Sequence, residues 1–185
     1  MTQSPAMPDF AQKLAVSREG NAKRPAASQT QFISFAIGDD QYGVDIMAVR
    51  EIKGWSEIVR LPKQPDYMRG VLNLRGTIVP IVDLRCRFGQ GLTETTPLNI
   101  VIIVQIDDRP VGLIGDRVLD IISVQPTEIQ PMPRTAQGGV SAFLSGLVPQ
   151  DTGMVALIDL SHLLLSSESV HEAASGGVAD ETISN

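Results

Sequence analysis

The chain matches itself. Displaced by 69 positions, Ile37, Gly43, Val49, Glu51 and Ile52 fall on Ile106, Gly112, Val118, Asp120 and Ile121, with Asp39 on Asp108 and no gap between. Farther along the displacement becomes 76. Gly70 then falls on Gly146, and Val79, Ile81, Val82, Asp83 and Leu84 fall on Val155, Leu157, Ile158, Asp159 and Leu160. Alternating valines shared by chance would not keep their order at a nearly constant displacement, so the matches read as a duplication. The 185-residue chain therefore carries one folding plan twice, in two units of about 70 residues each.

The units punctuate like β structure. Apolar runs over 32–37, 71–74, 78–84, 99–106, 111–114, 118–124 and 154–160 are separated by Gly, Pro, Asp or Asn. The run over 99–106 is nearly continuous apolar, which suits a strand buried on both faces. Helical signals are brief. Asp45 is placed to cap a turn through Val49, Pro65–Met68 reads as one turn, and Ser161 is placed to cap a short helix through Leu165. Prolines at 126, 131 and 133 and glycines at 138 and 139 exclude a long helix over 125–140. Sheets this short lose their exposed edges best by closing, so the expectation is two small five-stranded barrels, about 31–97 and 98–165, with a groove between them. Which barrel the final strand completes stays open. Residues 1–30 and 166–185 read as flexible tails of opposite sign, the first +2 and the second −4.

The chemistry of an enzyme is missing. A net charge of −6 argues against a nucleic-acid surface, and one cysteine allows no internal disulfide and fits a reducing cytosol. No apolar run approaches a membrane span, and no signal-peptide core stands in the first thirty residues. There is no phosphate-cradling G-x-x-x-x-G-K-[ST], no G-x-G-x-x-G, no G-x-S-x-G and no thiolate zinc set; the two histidines, His162 and His171, leave little for a metal or a general base. Catalytic, cofactor and metal sites are therefore expected to be absent. The pair Asp107-Asp108 after a buried strand imitates the acid pair of a receiver domain. A receiver needs alternating helices and a downstream lysine, and the last lysine here is Lys63. The pair also falls on Gly38-Asp39 in the repeat, where both read as hairpin turns.

Polar residues inside apolar strands are the candidates for function. In Val71–Arg75, alternation puts Leu72 and Leu74 on the core face and Val71, Asn73 and Arg75 on the other. Glu51 offers Arg75 a carboxylate. The two read either as an exposed pair worth about 0–1 kcal/mol or as a charged lip beside an apolar groove, and residue chemistry alone favours the former. Asp83 and Asp159 suit backbone turns better than acid catalysis. Trp55 suits either a contact hot spot or a lid over one barrel.

The run Tyr42–Ile46, Val49–Ile52, Leu61-Pro62 and above all Tyr67–Leu84, which contains N-L-R-G-T-I-V-P-I-V-D-L, resembles the CheW family of bacterial chemotaxis coupling proteins. Val111–Leu113, Val118–Ile121 and Ala156–Leu160 add to the match, which covers about 31–165, the whole CheW-like domain. The resemblance implies an all-β fold of two SH3-like five-stranded barrels with short helices, and no catalytic activity. It implies a cytoplasmic adaptor that is recruited to membrane receptor arrays and links the cytoplasmic tips of methyl-accepting chemotaxis receptors to the histidine kinase CheA. Carried over position by position, it places receptor contacts at Val49, Glu51, Ile52, Gly70, Asn73 and Arg75, with Ile100 and Val101 from the second barrel. Kinase-contact residues stay unassigned. The rival reading is a general SH3-like peptide-binding scaffold in another two-component pathway; an aromatic content of 4% is low for its groove.

Overall fold

The computed structural model describes residues 29–133 and 139–165. The two expected tails lie outside the described residues, except that Gln29 and Thr30 are described and Thr30 opens the first strand. In chain order the elements are β1 (Thr30–Ile37), β2 (Asp40–Asp45), β3 (Val49–Gly54), β4 (Met68–Leu74), β5 (Thr77–Asp83), α1 (Leu84–Arg87), β6 (Ile100–Ile106), β7 (Arg109–Gly115), β8 (Arg117–Val124), β9 (Leu144–Gln150), β10 (Gly153–Ile158) and α2 (Leu160–Leu165). Short 3-10 turns stand at Pro126–Glu128 and Gly139–Phe143. The fold is all-β, as expected.

Local chemistry accounts for most of these elements. Gly38-Asp39 and Asp107-Asp108 are the two-residue turns of the β1–β2 and β6–β7 hairpins, with Ile37 opposite Asp40 and Ile106 opposite Arg109. Positive φ at Gly38, Asp107 and Asp108 suits the tight hairpin turns whose twist matches the strands. This confirms the turn reading of the acid pair. Asp45 accepts the Met47 amide at 2.8 Å and turns the chain through 46–48 into β3. The apolar pattern alone did not mark β2, β3 and β9, because Gly43, then Arg50, Glu51 and Lys53, then Gly146 and Pro149 interrupt their runs. The expected strand over 154–160 ends at Ile158, and α2 is capped by Asp159, not Ser161: its carboxylate accepts the Ser161 amide at 3.0 Å and the His162 amide at 3.2 Å.

The strands form two five-stranded sheets, ordered β8-β1-β2-β10-β9 and β3-β6-β7-β5-β4. This corrects the expected division at residue 97. The first sheet takes β1 and β2 from the first repeat and β8 to β10 from the second; the other takes β3 to β5 from the first and β6 and β7 from the second. The joints are the parallel pairings of β2 with β10 and of β5 with β7. The physical reason is that the Asp45 turn carries the chain away from β2, and β3 then completes its hydrogen bonds on β6, 45 or more residues away. The repeat dictates each strand's shape, and only long-range pairing decides its neighbour.

Each sheet is drawn together at a seam. Val59, in the segment leaving β3, exchanges two backbone hydrogen bonds with Val71 of β4, at 2.9 and 2.8 Å. Gln130, beyond β8, does the same with Leu147 of β9, at 2.8 Å each way. The repeat glycines serve these close approaches. A Cβ on Gly70, whose φ is +138°, would stand 2.1 Å from the Val59 carbonyl oxygen, and one on Gly146 would stand 2.9 Å from that of Gln130. Cβ atoms on Gly43 and Gly112 would press on Leu157 and Ile81 inside the two sheets' curvature.

The core has three compartments. Leu72, Val79, Ile81, Val101, Ile103 and Ile114 fill one sheet, with Trp55 and Leu74 packed against them. Phe32, Val124, Val148, Val155 and Leu157 fill the other. The largest compartment, of 18 buried residues, lies between the sheets and takes Ile33, Phe35 and Ile37 from β1 and their repeat partners Ile102, Val104 and Ile106 from β6. Alternation explains the split: along β6, Val101 and Ile103 face inward while Ile100, Ile102 and Val104 face the other sheet. β1 and β6 are therefore buried on both faces, as the continuous apolar run over 99–106 required.

Fragments 31–97 and 98–165 expressed separately should show no cooperative unfolding, and mixing them should restore the β-sheet circular dichroism signal. Gly70→Ala should lower stability in urea by at least about 2 kcal/mol, because backbone must move as well as φ. Gly76→Ala, at φ +88° but with open space around it, should cost about 1 kcal/mol.

Candidate docking surface

The hairpin of β4 and β5 turns on Arg75-Gly76, with Leu74 opposite Thr77 and φ of 52° and 88°. Asn73 is exposed, and its side-chain oxygen accepts the Gly76 amide at 2.7 Å, which closes the turn. An arginine in left-handed backbone costs roughly 1–2 kcal/mol that a glycine would not. Its side chain, 78% exposed, donates to Glu51 Oε2 at 2.9 Å. Glu51 sits on β3, so this ion pair crosses the seam beside the Val59–Val71 bridge. At that exposure the pair contributes little to stability, about 0–1 kcal/mol. The tight two-residue turn is what requires this backbone.

The predicted site residues divide. Glu51, Asn73 and Arg75 come together on the surface, and Ile52 is half-buried against the inter-sheet core. Val49 and Val101 are wholly buried, Ile100 is 6% exposed and Gly70 is buried at the seam. These four support the surface from below and do not form its face. Nor do Ile100 and Val101 approach from a second barrel across a groove, as expected: β6 lies beside β3 in the same sheet, with Val101 opposite Lys53 and Ile100 opposite Gly54.

Sequence reasoning missed part of the surface. Ile78 pairs with Asn73 on the outer face and is 59% exposed, and Val59 and Leu61 on the seam are 64% and 46% exposed. Ile78 carried no signal because the run 78–84 is apolar on both faces. Arg60, Lys63 and Arg69 lie in the same stretch, and Trp55, Ile58, Arg60, Arg69 and Thr95 line a shallow pocket next to it. Trp55 takes the lid reading: it packs on the interior of its sheet, and its amide donates to the Asn99 carbonyl at 2.9 Å.

The carboxylates elsewhere serve the scaffold. Asp83, fully buried, accepts from the Thr93 amide at 2.8 Å, the Thr93 hydroxyl at 2.7 Å and the Cys86 amide at 3.2 Å, with Arg69 at 3.5 Å. Asp116 binds Arg85 and the Gly38 amide at 2.7 Å each, joining α1 to the β1–β2 turn. The Arg87 guanidinium lies between the rings of Tyr67 and Phe143, at 4.1 and 4.5 Å, and donates to the Leu163 carbonyl at 3.1 Å. Burial pushes the Cys86 thiol up, and Asp83 and Asp66 add to the shift, which disfavours a reactive thiolate. Among the described residues no group of three or more His, Cys, Asp or Glu is placed to hold a metal, and no helix is long and apolar enough to cross a membrane.

A two-sheet scaffold whose buried acid binds backbone, with a charged hairpin tip held in left-handed backbone on its surface, belongs to the class of protein-docking adaptors. Comparison with known proteins makes this specific. Residues 31–168 match the family model for the CheW-like domain. The chemotaxis protein CheW of Rhizobium meliloti is 38% identical over 147 residues, covering 80% of this chain and 95% of that protein. A probable CheW of Rhizobium etli is 40% identical over 139 residues, covering 75% and 90%. The crystal structure of the scaffolding protein TtCheW from Thermoanaerobacter tengcongensis superposes with a TM-score of 0.69 at 31% identity, covering 77% of this chain and 91% of that one. The chain belongs to the CheW family. It is a chemotaxis adaptor and not an enzyme.

The α2 cap gives a pH test. Burial pushes the Asp159 carboxyl up, but hydrogen bonds from the His162 side chain and from the His162 and Ser161 amides outweigh it and hold the group below its ordinary 3.8. Its contribution is therefore complete above that pH and lost as pH falls through the lower, folded-state value. Asp159→Ala should cost about 1 kcal/mol at neutral pH, and the difference from wild type in denaturant melts should shrink toward zero in acid.

Proposed function

We propose that this adaptor couples the cytoplasmic tips of methyl-accepting chemotaxis receptors to the histidine kinase CheA at the membrane receptor array, with the receptor docked on the seam between β3 and the β4–β5 hairpin. The observation that carries the reading is Arg75: an exposed guanidinium held in costly left-handed backbone, fixed by Glu51 and flanked by the exposed apolar side chains of Val59 and Ile78. A receptor tip is a helical hairpin. Its apolar stripe would lie along Val59 and Ile78, and a carboxylate on it would meet Arg75. Asn73 holds the turn, Ile52 extends the apolar floor, and Glu51 sets the orientation of the arginine and hence the register of the helix. The buried Val49, Gly70, Ile100 and Val101 keep this face rigid from beneath. Kinase contacts fall elsewhere on the two sheets, so that one body links sensor and enzyme.

Co-sedimentation with receptor-containing membranes and CheA tests this. Arg75→Glu should melt like wild type and lose receptor binding by about tenfold or more. Full retention of binding by the folded variant would remove the site from the seam, and loss of folding would make Arg75 structural. Arg75→Gly separates charge from backbone: it should be slightly more stable than wild type and still bind weakly.

A further inference from the structure

The repeat has a further expression where the two sheets meet. α1 and α2 are counterparts at the displacement of 76, and each is capped by an aspartate, Asp83 for α1 and Asp159 for α2. At the same displacement Tyr67 falls on Phe143 and Arg87 falls on Leu163. All four residues come together. The Arg87 guanidinium lies 4.1 Å from the centre of the Tyr67 ring and 4.5 Å from that of Phe143, and it donates to the Leu163 carbonyl at 3.1 Å. Counterparts from both repeats thus touch one guanidinium, so it stands on the line about which the repeats are related. α2 brings Leu163, wholly buried, to the matching place and lends only its carbonyl. One cation therefore serves both halves, without the like charge that a second arginine would bring against it.

Each ring stands at the root of a hairpin. Tyr67 immediately precedes β4, and Phe143 immediately precedes β9. The Tyr67 carbonyl accepts the Asp83 amide at 2.7 Å and the Phe143 carbonyl accepts the Asp159 amide at 2.8 Å, so each backbone is held by its own repeat. The rings are held in common. Four residues beyond each ring lies the seam of its sheet, where Val71 donates to the Val59 carbonyl and Leu147 to the Gln130 carbonyl, at 2.8 Å each. A planar guanidinium stacked on two ring faces fixes their separation, as an ammonium on a flexible stem does not. Phe143 stacks in turn on Phe88, and Phe88 on Tyr42 of β2, with centroids 6.2 and 4.9 Å apart.

We propose that Arg87 is a positioning residue that couples the two hairpins. By holding Tyr67 and Phe143 at one spacing, it transmits a displacement at the root of the β4–β5 hairpin to the root of the β9–β10 hairpin, and the reverse. The molecule then responds at one corner to what docks on the other. The binding consequence rests on the receptor reading of the first seam given above; the coupling of the hairpins does not. Coupling carried by packed side chains is reciprocal and changes an equilibrium at the far site by about fivefold or more.

Hydrogen exchange in the full chain without a partner tests the coupling. Phe143→Leu should speed exchange of the Val71 amide about fivefold beyond its effect on the amides of β6, which exchange by global unfolding. Tyr67→Leu should do the same to the Leu147 amide. In the Arg87→Met background neither substitution should have this extra effect on the opposite seam. Arg87→Lys keeps a cation without the planar stack and should weaken both cross effects, which decides the matter should Arg87→Met not fold. Arg85→Gln cuts the Asp116 link of the same helix and should leave both cross effects intact. Cross effects that match those on β6, that persist at full size in the Arg87→Met or Arg87→Lys background, or that vanish in Arg85→Gln overturn the proposal. In co-sedimentation with receptor membranes, Phe143→Leu should weaken binding about fivefold, and no further in the Arg87→Met background. Binding lost in Arg75→Glu but untouched by Phe143→Leu would overturn the binding consequence. Cross effects together with receptor binding that neither Phe143→Leu nor Arg75→Glu alters would keep the coupling and overturn the docking of receptors on the seam.

Discussion

The structure depends on the apolar contact between its two sheets. That compartment holds 18 buried residues, more than the interiors of the two sheets together. It exists because β1 and β6 are apolar on both faces: one face fills a sheet, and the other meets the opposite sheet. At about 1.5–3 kcal/mol for each large apolar side chain buried, this contact outweighs any single hydrogen bond or ion pair in the chain. Around it the polar residues do local work. Asp116 and Arg85 tie a hairpin of one sheet to the helix after the other, and Arg87 between Tyr67 and Phe143 fastens α2 over the end of the interface. A surface mounted on such a body keeps its geometry while a partner pulls on it.

The seam shows how the scaffold and the proposed docking surface share residues. Gly70 permits the close backbone approach that joins β4 to the segment after β3. That approach brings Glu51 within reach of Arg75. Neither residue stabilises the fold appreciably, and Arg75 strains it. The fold supplies position, and the hairpin tip supplies charge.

The sequence carried much of this and concealed a definite part. Strand runs, hairpin turns at Gly38-Asp39 and Asp107-Asp108, the doubly buried β6 and the outward face of Asn73 were legible because each is a local pattern of period two or a turn chemistry. The exchange of strands between repeats was not, since a displacement of 69 residues reports that β1 and β6 are alike and is silent about which strand lies beside each. Burial at the candidate site was hidden for a related reason. Val49 and Glu51 are two residues apart, yet a bulge in the β3–β6 pairing between them puts the valine at no exposure and leaves the glutamate at the surface. Ile78 falls in an apolar run and is exposed; apolar character alone does not say which side of a closed sheet a residue occupies.

The exchange of strands also bears on symmetry. A chain with one repeat alone would have half of each sheet and would have to borrow the rest from a second copy, forming a two-fold dimer whose two seams are obliged to be identical. Two repeats in one chain satisfy the same pairing without that obligation. The first turn position of the β4–β5 hairpin is Arg75, and its counterpart in the β9–β10 hairpin, 76 residues on, is Asp151. Covalent linkage has thus allowed two equivalent corners of one architecture to carry opposite charges, which gives the molecule two distinguishable ends.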